Sequence, residues 1–288
     1  MTSANAVRLV LWMSGALISF STIAVSIRAL SGVLNVFEIL ALRSLSGIII
    51  LSGLLVARPA LRQYVVFRRM RLQVVRNLVH FAAQAAWALG ITLLPLATAF
   101  ALEFTAPAWV ALFAVLLLGE RLTMSRIGAL VLGFVGVLVI LHPGHGTFQP
   151  AALIMLGAAV GFALAIIATK KLIATESTFT ILMWMNVLQL PMNLAGSDLL
   201  FLTKLDAAKL LPAVGVGLAG LASHFCLTNA FRHGDATIVV PLDFLRIPLI
   251  ALVGRSFYGE ALDPLVFVGA GLIIAGVLWN LRAETASV

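Results

Sequence analysis

The sequence predicts an all-α integral membrane protein whose ten transmembrane helices form two inverted five-helix repeats. Three observations predict it. Of 288 residues, 62% are hydrophobic and only 10% charged, against about 25% charged in a soluble domain. Apolar stretches able to cross a hydrocarbon core of about 30 Å recur along the whole chain. The chain also matches itself when displaced by 140 residues.

The ten expected spans are Ala6–Leu30, Val33–Ala57, Val74–Leu94, Ala97–Leu118, Ile127–Leu141, Ala151–Thr169, Phe179–Gly196, Leu210–Phe231, Thr237–Phe257 and Leu265–Leu281. The first is too long in its apolar part for a signal peptide, and no small-residue cleavage site precedes the second, so it is expected to stay in the protein. The longest polar connection, Arg58 to Gln73, is a basic loop rather than a module. Five spans fall before the "HPGHG" turn at His142–Gly146, and five after it, so the expected units are residues 1–145 and 146–288.

The net charge of +8 follows the membrane, not a nucleic acid. With the N-terminus inside, the inner loops and ends hold Arg8, Arg58, Arg62, Arg68, Arg69, Arg71, Arg121, Arg126, Lys170, Lys171, Arg232 and Arg282, and the outer ones only Arg28, Lys204, Lys209 and Arg255. That asymmetry places both termini in the cytoplasm, as expected for a bacterial inner-membrane protein. The one cysteine, Cys226, excludes an internal disulfide and any cysteine cluster for a metal.

The displacement aligns "LEFTAPAWVALFAVLLLGERL", from Leu102, with "LDFLRIPLIALVGRSFYGEAL", from Leu242, without a gap. Glu103 falls on Asp243, and "GVLVIL" from Gly136 falls on "GVLWNL" from Gly276. Five helices per copy is an odd number, so the second copy enters the bilayer from the opposite side. Inverted copies are the architecture of secondary transporters, with a site at their interface. Glu103 then lies roughly 10 Å from the outer end of its helix, and Asp243 equally far from the inner end of its own.

These residues carry a resemblance. The two "GE-x-L" endings, Gly119-Glu120-Arg121-Leu122 and Gly259-Glu260-Ala261-Leu262, stand downstream of Pro107 in one half and of Pro241 and Pro248 in the other, with glycine-rich helices after them. The chain resembles the EamA-type, ten-helix branch of the drug/metabolite transporter superfamily over essentially its whole length. The resemblance implies export of small organic solutes by alternating access. Its pattern is most similar to the YddG-type exporters of amino acids, aromatic ones included. Other members of the family move cofactor-like metabolites, drugs or nucleoside-like molecules, and that alternative stays open.

Ionisable groups within the spans are the first candidates for a site, because hydrocarbon penalises them. They are Arg43, His80, Glu103, His224, Asp243 and Arg246. Arg43 sits at a depth from which it could reach Glu103, and Arg246 follows Asp243 by three residues, so each acid has a candidate partner. Two readings of the acids stand: ion pairs that hold helix register, or contacts to a substrate or a coupling proton. His80, Gln84 and Trp87 share one face of the third span, and His224 occupies the repeat position of Gln84. Those four, with Asp243, Arg246, Ser19 and Asn186, are expected to line a substrate cavity, and Arg43 with Glu103 to serve as an ion pair or in coupling. Glu120 and Glu260, at the water boundary, are expected to cap hairpins or touch a neighbouring helix. The glycines that follow them are expected to serve as scaffold.

Two motifs are decoys. "GVGLAG", Gly215–Gly220, has the letters of a dinucleotide fingerprint but lies in an apolar helix without a preceding strand. His142 and His145 are too few for a closed metal site. There is no G-x-x-x-x-G-K-[ST] loop, so gradients rather than ATP must drive transport. An intramembrane enzyme would need a histidine-glutamate or serine-base cluster, which the spacing does not offer. The expected partners are a small-molecule substrate and the bilayer, with no cofactor and no metal, in a monomer or homodimer.

Overall fold

The computed structural model describes residues 3–118, 123–141, 149–172, 174–233, 242–243 and 245–286. Among these the chain forms eleven α-helices and no strand. They are α1 (Ser3–Leu30), α2 (Val36–Ala57), α3 (Met70–Leu93), α4 (Leu96–Glu103), α5 (Ala106–Leu118), α6 (Met124–Leu141), α7 (Ala151–Leu172), α8 (Thr178–Ala195), α9 (Ala207–His233), α10 (Arg246–Tyr258) and α11 (Pro264–Ala286). The helices α4 and α5 together make the fourth span, and α10 with Leu242 and Asp243 makes the ninth, so the ten spans stand. The basic Arg58–Gln73 connection is shorter than the sequence suggests. Pro59–Tyr64 winds into a 3-10 turn, and α3 begins at Met70.

The fourth span breaks just after Glu103. Pro107 has no N–H to offer the Glu103 carbonyl four residues back, and the Thr105 hydroxyl and amide both turn back to the Leu102 carbonyl, at 2.7 and 3.1 Å. The carboxylate of Glu103 therefore hangs at a helix end rather than on a continuous helical face.

Inversion is visible in which helix ends meet. The Asn35 side chain, capping the start of α2, donates to the Gly196 carbonyl at the end of α8, 3.2 Å away. Glu260, just past α10, accepts from the Leu96 amide at the start of α4, at 2.8 Å. The second and seventh spans, and likewise the fourth and ninth, thus run in opposite senses. The pairing of elements repeats accordingly: α1 lies along α9 and α3 along α7, with α2 against α8 and α6 against α11.

The second "GE-x-L" motif has a clear structural reason. Gly259 ends α10 with φ +65, a left-handed conformation that costs a residue with a Cβ roughly 1–2 kcal/mol. The Gly259 amide closes back on the Arg255 carbonyl at 3.2 Å, an αL cap, and the Glu260 amide on the Gly254 carbonyl at 3.2 Å. Its carboxylate is aimed across the bundle, where it binds Leu96 and pairs with Arg28. Arg28 also donates to the Ile91 carbonyl at 2.7 Å and to that of Leu94. Glu260 is therefore a tie to neighbouring helices. Glu120, its counterpart, lies outside the described residues, as do Gly119, Pro241 and the "HPGHG" turn.

The glycines pack α6 onto α11 within the chain. A Cβ on Gly136 would meet the Gly269 carbonyl at 2.6 Å, and one on Gly269 would meet that of Gly136 at 2.5 Å. Gly128 makes room for Trp279 in the same way. The small residues of α1 do the same against α9, with Gly15 facing Cys226 and Ser26 facing Gly215. Without a hydrophobic force between helices in lipid, such close backbone approach is the main source of packing energy.

Candidate functional site

The acids of the two repeats converge on one arginine. Arg246, in the first turn of α10, donates to Asp243 at 2.5 Å and to Glu103 at 3.3 Å. Trp87 of α3 donates its indole N–H to the other Glu103 oxygen at 2.7 Å. The guanidinium is 4% exposed, and the two carboxylates 18% and 20%. Removing these charges from water is costly, and their mutual hydrogen bonds offset the cost. Counted at formal charges, one cation between two anions leaves −1.

Arg43 does not take the place the sequence suggested. Its guanidinium does not pair with Glu103, whose partners are Arg246 and Trp87. It points to α9, with Nη2 3.4 Å from Nε2 of His224. The reason is steric. Gly220 stands where α2 and α9 cross, and a Cβ there would come within 2.8 Å of Nε of Arg43, so the glycine opens the path that the arginine takes.

Phe20 of α1 connects the two groups. Arg246 stacks over its ring at 3.8 Å, while His224 meets it edge-on with ring centroids 6.3 Å apart. Phe100 and Phe104 complete the aromatic collar around Arg246, at 5.8 and 5.2 Å. Nothing in the sequence distinguishes Phe20 from a lipid-facing phenylalanine.

The polar stripe of α3 is real and longer than expected. His80 lies 2.9 Å from the amide of Gln189 on α8, and that same amide donates to Asn77 at 3.2 Å. Arg76 donates to Asn77 at 3.0 Å and to Thr169 of α7 at 3.1 Å. Arg76 and Asn77 precede His80 by four and three residues, so the helical period that exposed His80, Gln84 and Trp87 also signals them. The Oε1 of Gln84 is buried without a hydrogen-bond partner among the described residues.

Asn186 lines a narrow crevice with Arg43, Gly47, Met185, Gly220 and Leu221. Its own amide donates to the Leu182 carbonyl at 2.8 Å. Asn193 serves instead as glue between α8 and α2, donating to Leu40 and Ser44 at 3.3 and 3.1 Å. Ser19 is buried on α1, on the face whose Gly15 and Ser26 pack against α9. The predicted residues thus divide into a triad with Trp87 and a separate cluster of Arg43, His224 and Asn186, while His80 joins a third group with Gln189.

The arrangement is a set of buried charges between two helical units, held by groups from both. Comparison with known proteins agrees with a transport role. The profile of the EamA-like transporter family matches twice, over residues 7–142 and 149–282. A riboflavin transporter of Rhizobium johnstonii is 33% identical over 69% of this chain and 66% of its own length. An S-adenosylmethionine uptake transporter of Rickettsia prowazekii is 28% identical over 74% and 72%, and a pseudopaline exporter of Pseudomonas aeruginosa 29% identical over 92% and 93%. A solved crystal structure superposes with a TM-score of 0.60 at 19% identity, covering 97% of this chain and 99% of that one, which shows the shared fold. The chain belongs to the EamA-like transporter family, as a multi-pass membrane transporter of small metabolites.

Proposed function

We propose that the protein is a secondary transporter that exports small amino-acid-like metabolites, aromatic and hydrophobic ones included, by alternating access across a bacterial inner membrane. Both termini face the cytoplasm, residues 1–145 and 146–288 are the two moving units, and the protein works as a monomer or homodimer. The observation that carries this reading is the convergence of Glu103 and Asp243, one from each repeat, on Arg246. Rocking of one repeat against the other changes that convergence directly, so the triad is where a bound amine and the conformational step meet. The net charge of −1 suits an ammonium group, and Trp87, Phe20 and Phe100 supply an apolar wall.

A separate set of ion pairs supports closure on the outer side. Arg28 with Glu260 ties the end of α1 to the end of α10, and Lys204 with Glu38 at 2.7 Å and Asp198 at 3.2 Å ties the start of α2 to the connection between α8 and α9, on the same side. Opening toward that side requires these pairs to separate.

The test is counterflow of labelled amino acids in proteoliposomes, starting with aromatic, branched-chain and small hydroxyl ones. Asp243→Asn and Gln84→Ala are expected to lower flux while folded protein stays in the membrane. Undiminished flux in both variants removes the triad and Gln84 from the site, and chemical conversion of a solute in place of counterflow supports the enzyme reading. If Glu103 carries a coupling proton, flux responds to an imposed pH gradient, and indifference supports facilitated diffusion or coupling to another ion. A second reading, a cofactor-like solute, is favoured by the names of the riboflavin and S-adenosylmethionine relatives. Riboflavin and S-adenosylmethionine belong in the same counterflow screen.

A further inference from the structure

Two arginines lie in the bundle interior without a matching acid. Arg43 and Arg76 are each 7% exposed, and among the described residues no carboxylate comes within 4 Å of either. Arg76 binds only neutral groups, Thr169 and Asn77. Arg43 has only the 3.4 Å approach to His224, and it lines the crevice beside Asn186. The two charges repel one another, and His80 sits within reach of both fields.

A buried cation without a partner costs several kcal/mol, so this placement calls for a compensating charge. In the two clusters three arginines, Arg43, Arg76 and Arg246, stand with two carboxylates, Glu103 and Asp243, while the buried Glu38 of α2 is taken up by Lys204; among these groups one positive charge is in excess before either histidine is counted. Guanidinium groups are matched in shape to carboxylate and phosphate oxygens. Gly220, by lacking a Cβ, leaves room for the Arg43 guanidinium in its crevice.

We propose that Arg43 and Arg76 form an oxyanion seat, and that the transported solute carries a net negative charge, two oxyanion groups against one amine. This rests on the transport reading and narrows its solutes from aromatic and hydrophobic amino acids to acidic ones: the amine end lies at the Glu103–Arg246–Asp243 triad, the oxyanion end at the two arginines.

The test is thermal unfolding of the purified protein in detergent with L-glutamate, L-glutamine, citrate or inorganic phosphate, since a ligand that binds the folded state raises the melting temperature by mass action. Glutamate and glutamine have nearly the same shape and differ by one charge. Glutamate and citrate are expected to stabilise the protein and glutamine not to. Arg43→Met places at position 43 the residue found at its repeat counterpart, Met183, and removes the charge without leaving a void. It and Arg76→Met are each expected to weaken anion binding roughly thirtyfold or more, and Arg43→Lys, which keeps the charge, to retain part of it. Stabilisation by phosphate alone would assign the seat to phosphorylated solutes rather than carboxylates. Equal shifts with glutamate and glutamine, anion shifts that survive both methionine variants, or no shift with any oxyanion overturn the proposal. Counterflow of labelled glutamate is measured in parallel. An anion shift lost in the variants, without amino-acid counterflow, rejects the amino-acid reading and retains the seat.

Discussion

Replacing Asp243 by asparagine keeps the shape of the triad and removes one of its two negative charges. The Arg246–Asp243 hydrogen bond, at 2.5 Å, is charge-assisted, and a bond of that kind contributes about 1.5–3 kcal/mol. Asparagine still accepts from the guanidinium, at roughly half that strength. The loss is therefore about 1 kcal/mol, and the 20% exposure of the aspartate argues against a larger figure. More consequential is the balance of charge: with Glu103 alone against Arg246 the triad becomes neutral and loses its attraction for an ammonium group. Together these effects are expected to raise the KM for counterflow about tenfold, equivalent to about 1.4 kcal/mol, with little change in melting temperature. The assay is initial-rate counterflow in proteoliposomes, normalised to monodisperse protein recovered by size exclusion. A KM within twofold of the parent protein, at equal recovery, would refute the assignment of Asp243 to the substrate's amine.

Trp87→Phe removes the 2.7 Å indole bond to Glu103 while keeping an aromatic wall against Phe100. Flux is expected to fall several-fold, and Glu103→Gln to make the loss no worse, since both act on one carboxylate; a double-mutant cycle in the counterflow assay reads the coupling. Gly136→Ala drives a methyl group into the Gly269 carbonyl, 2.6 Å from the new atom, and is expected to destabilise the protein by about 1–3 kcal/mol, seen as a lower melting temperature in detergent. In the connection between α8 and α9, a hydrogen bond from the Leu200 amide and then the Lys204 ammonium hold Asp198 below its ordinary value of 3.8, and the Glu38 carboxylate holds Lys204 above its ordinary 10.5. A depressed carboxylate contributes stability above its unfolded value and loses it as pH falls through the folded one. A raised lysine contributes below its unfolded value and loses it as pH rises through the folded one. The difference in melting temperature between the parent protein and Lys204→Met is therefore expected to be level between those limits and to shrink below pH 3.8 and above pH 10.5, as read from thermal melts across pH.

Hydropathy and repeat symmetry made the ten spans, their inversion and the pairing of Glu103 with Asp243 readable in one dimension. Crossing a bilayer is a local property of about twenty residues, and an odd number of crossings per copy forces the second copy to turn over. The same period that placed His80, Gln84 and Trp87 on one face of α3 also carried Arg76 and Asn77. What the chain order could not disclose is how each helix is rotated about its axis and which neighbour its polar groups meet. That is decided by close packing across the bundle, where contacts join residues more than a hundred positions apart. The absence of a Cβ at Gly220 sent Arg43 to His224 rather than to Glu103, the break after Glu103 freed its carboxylate to share Arg246 with Asp243, and Phe20 came to lie between the two clusters because α1 packs along α9. Spans follow from the solvent each segment must satisfy, whereas partners follow from which volumes fit together, and only the folded bundle settles that fit.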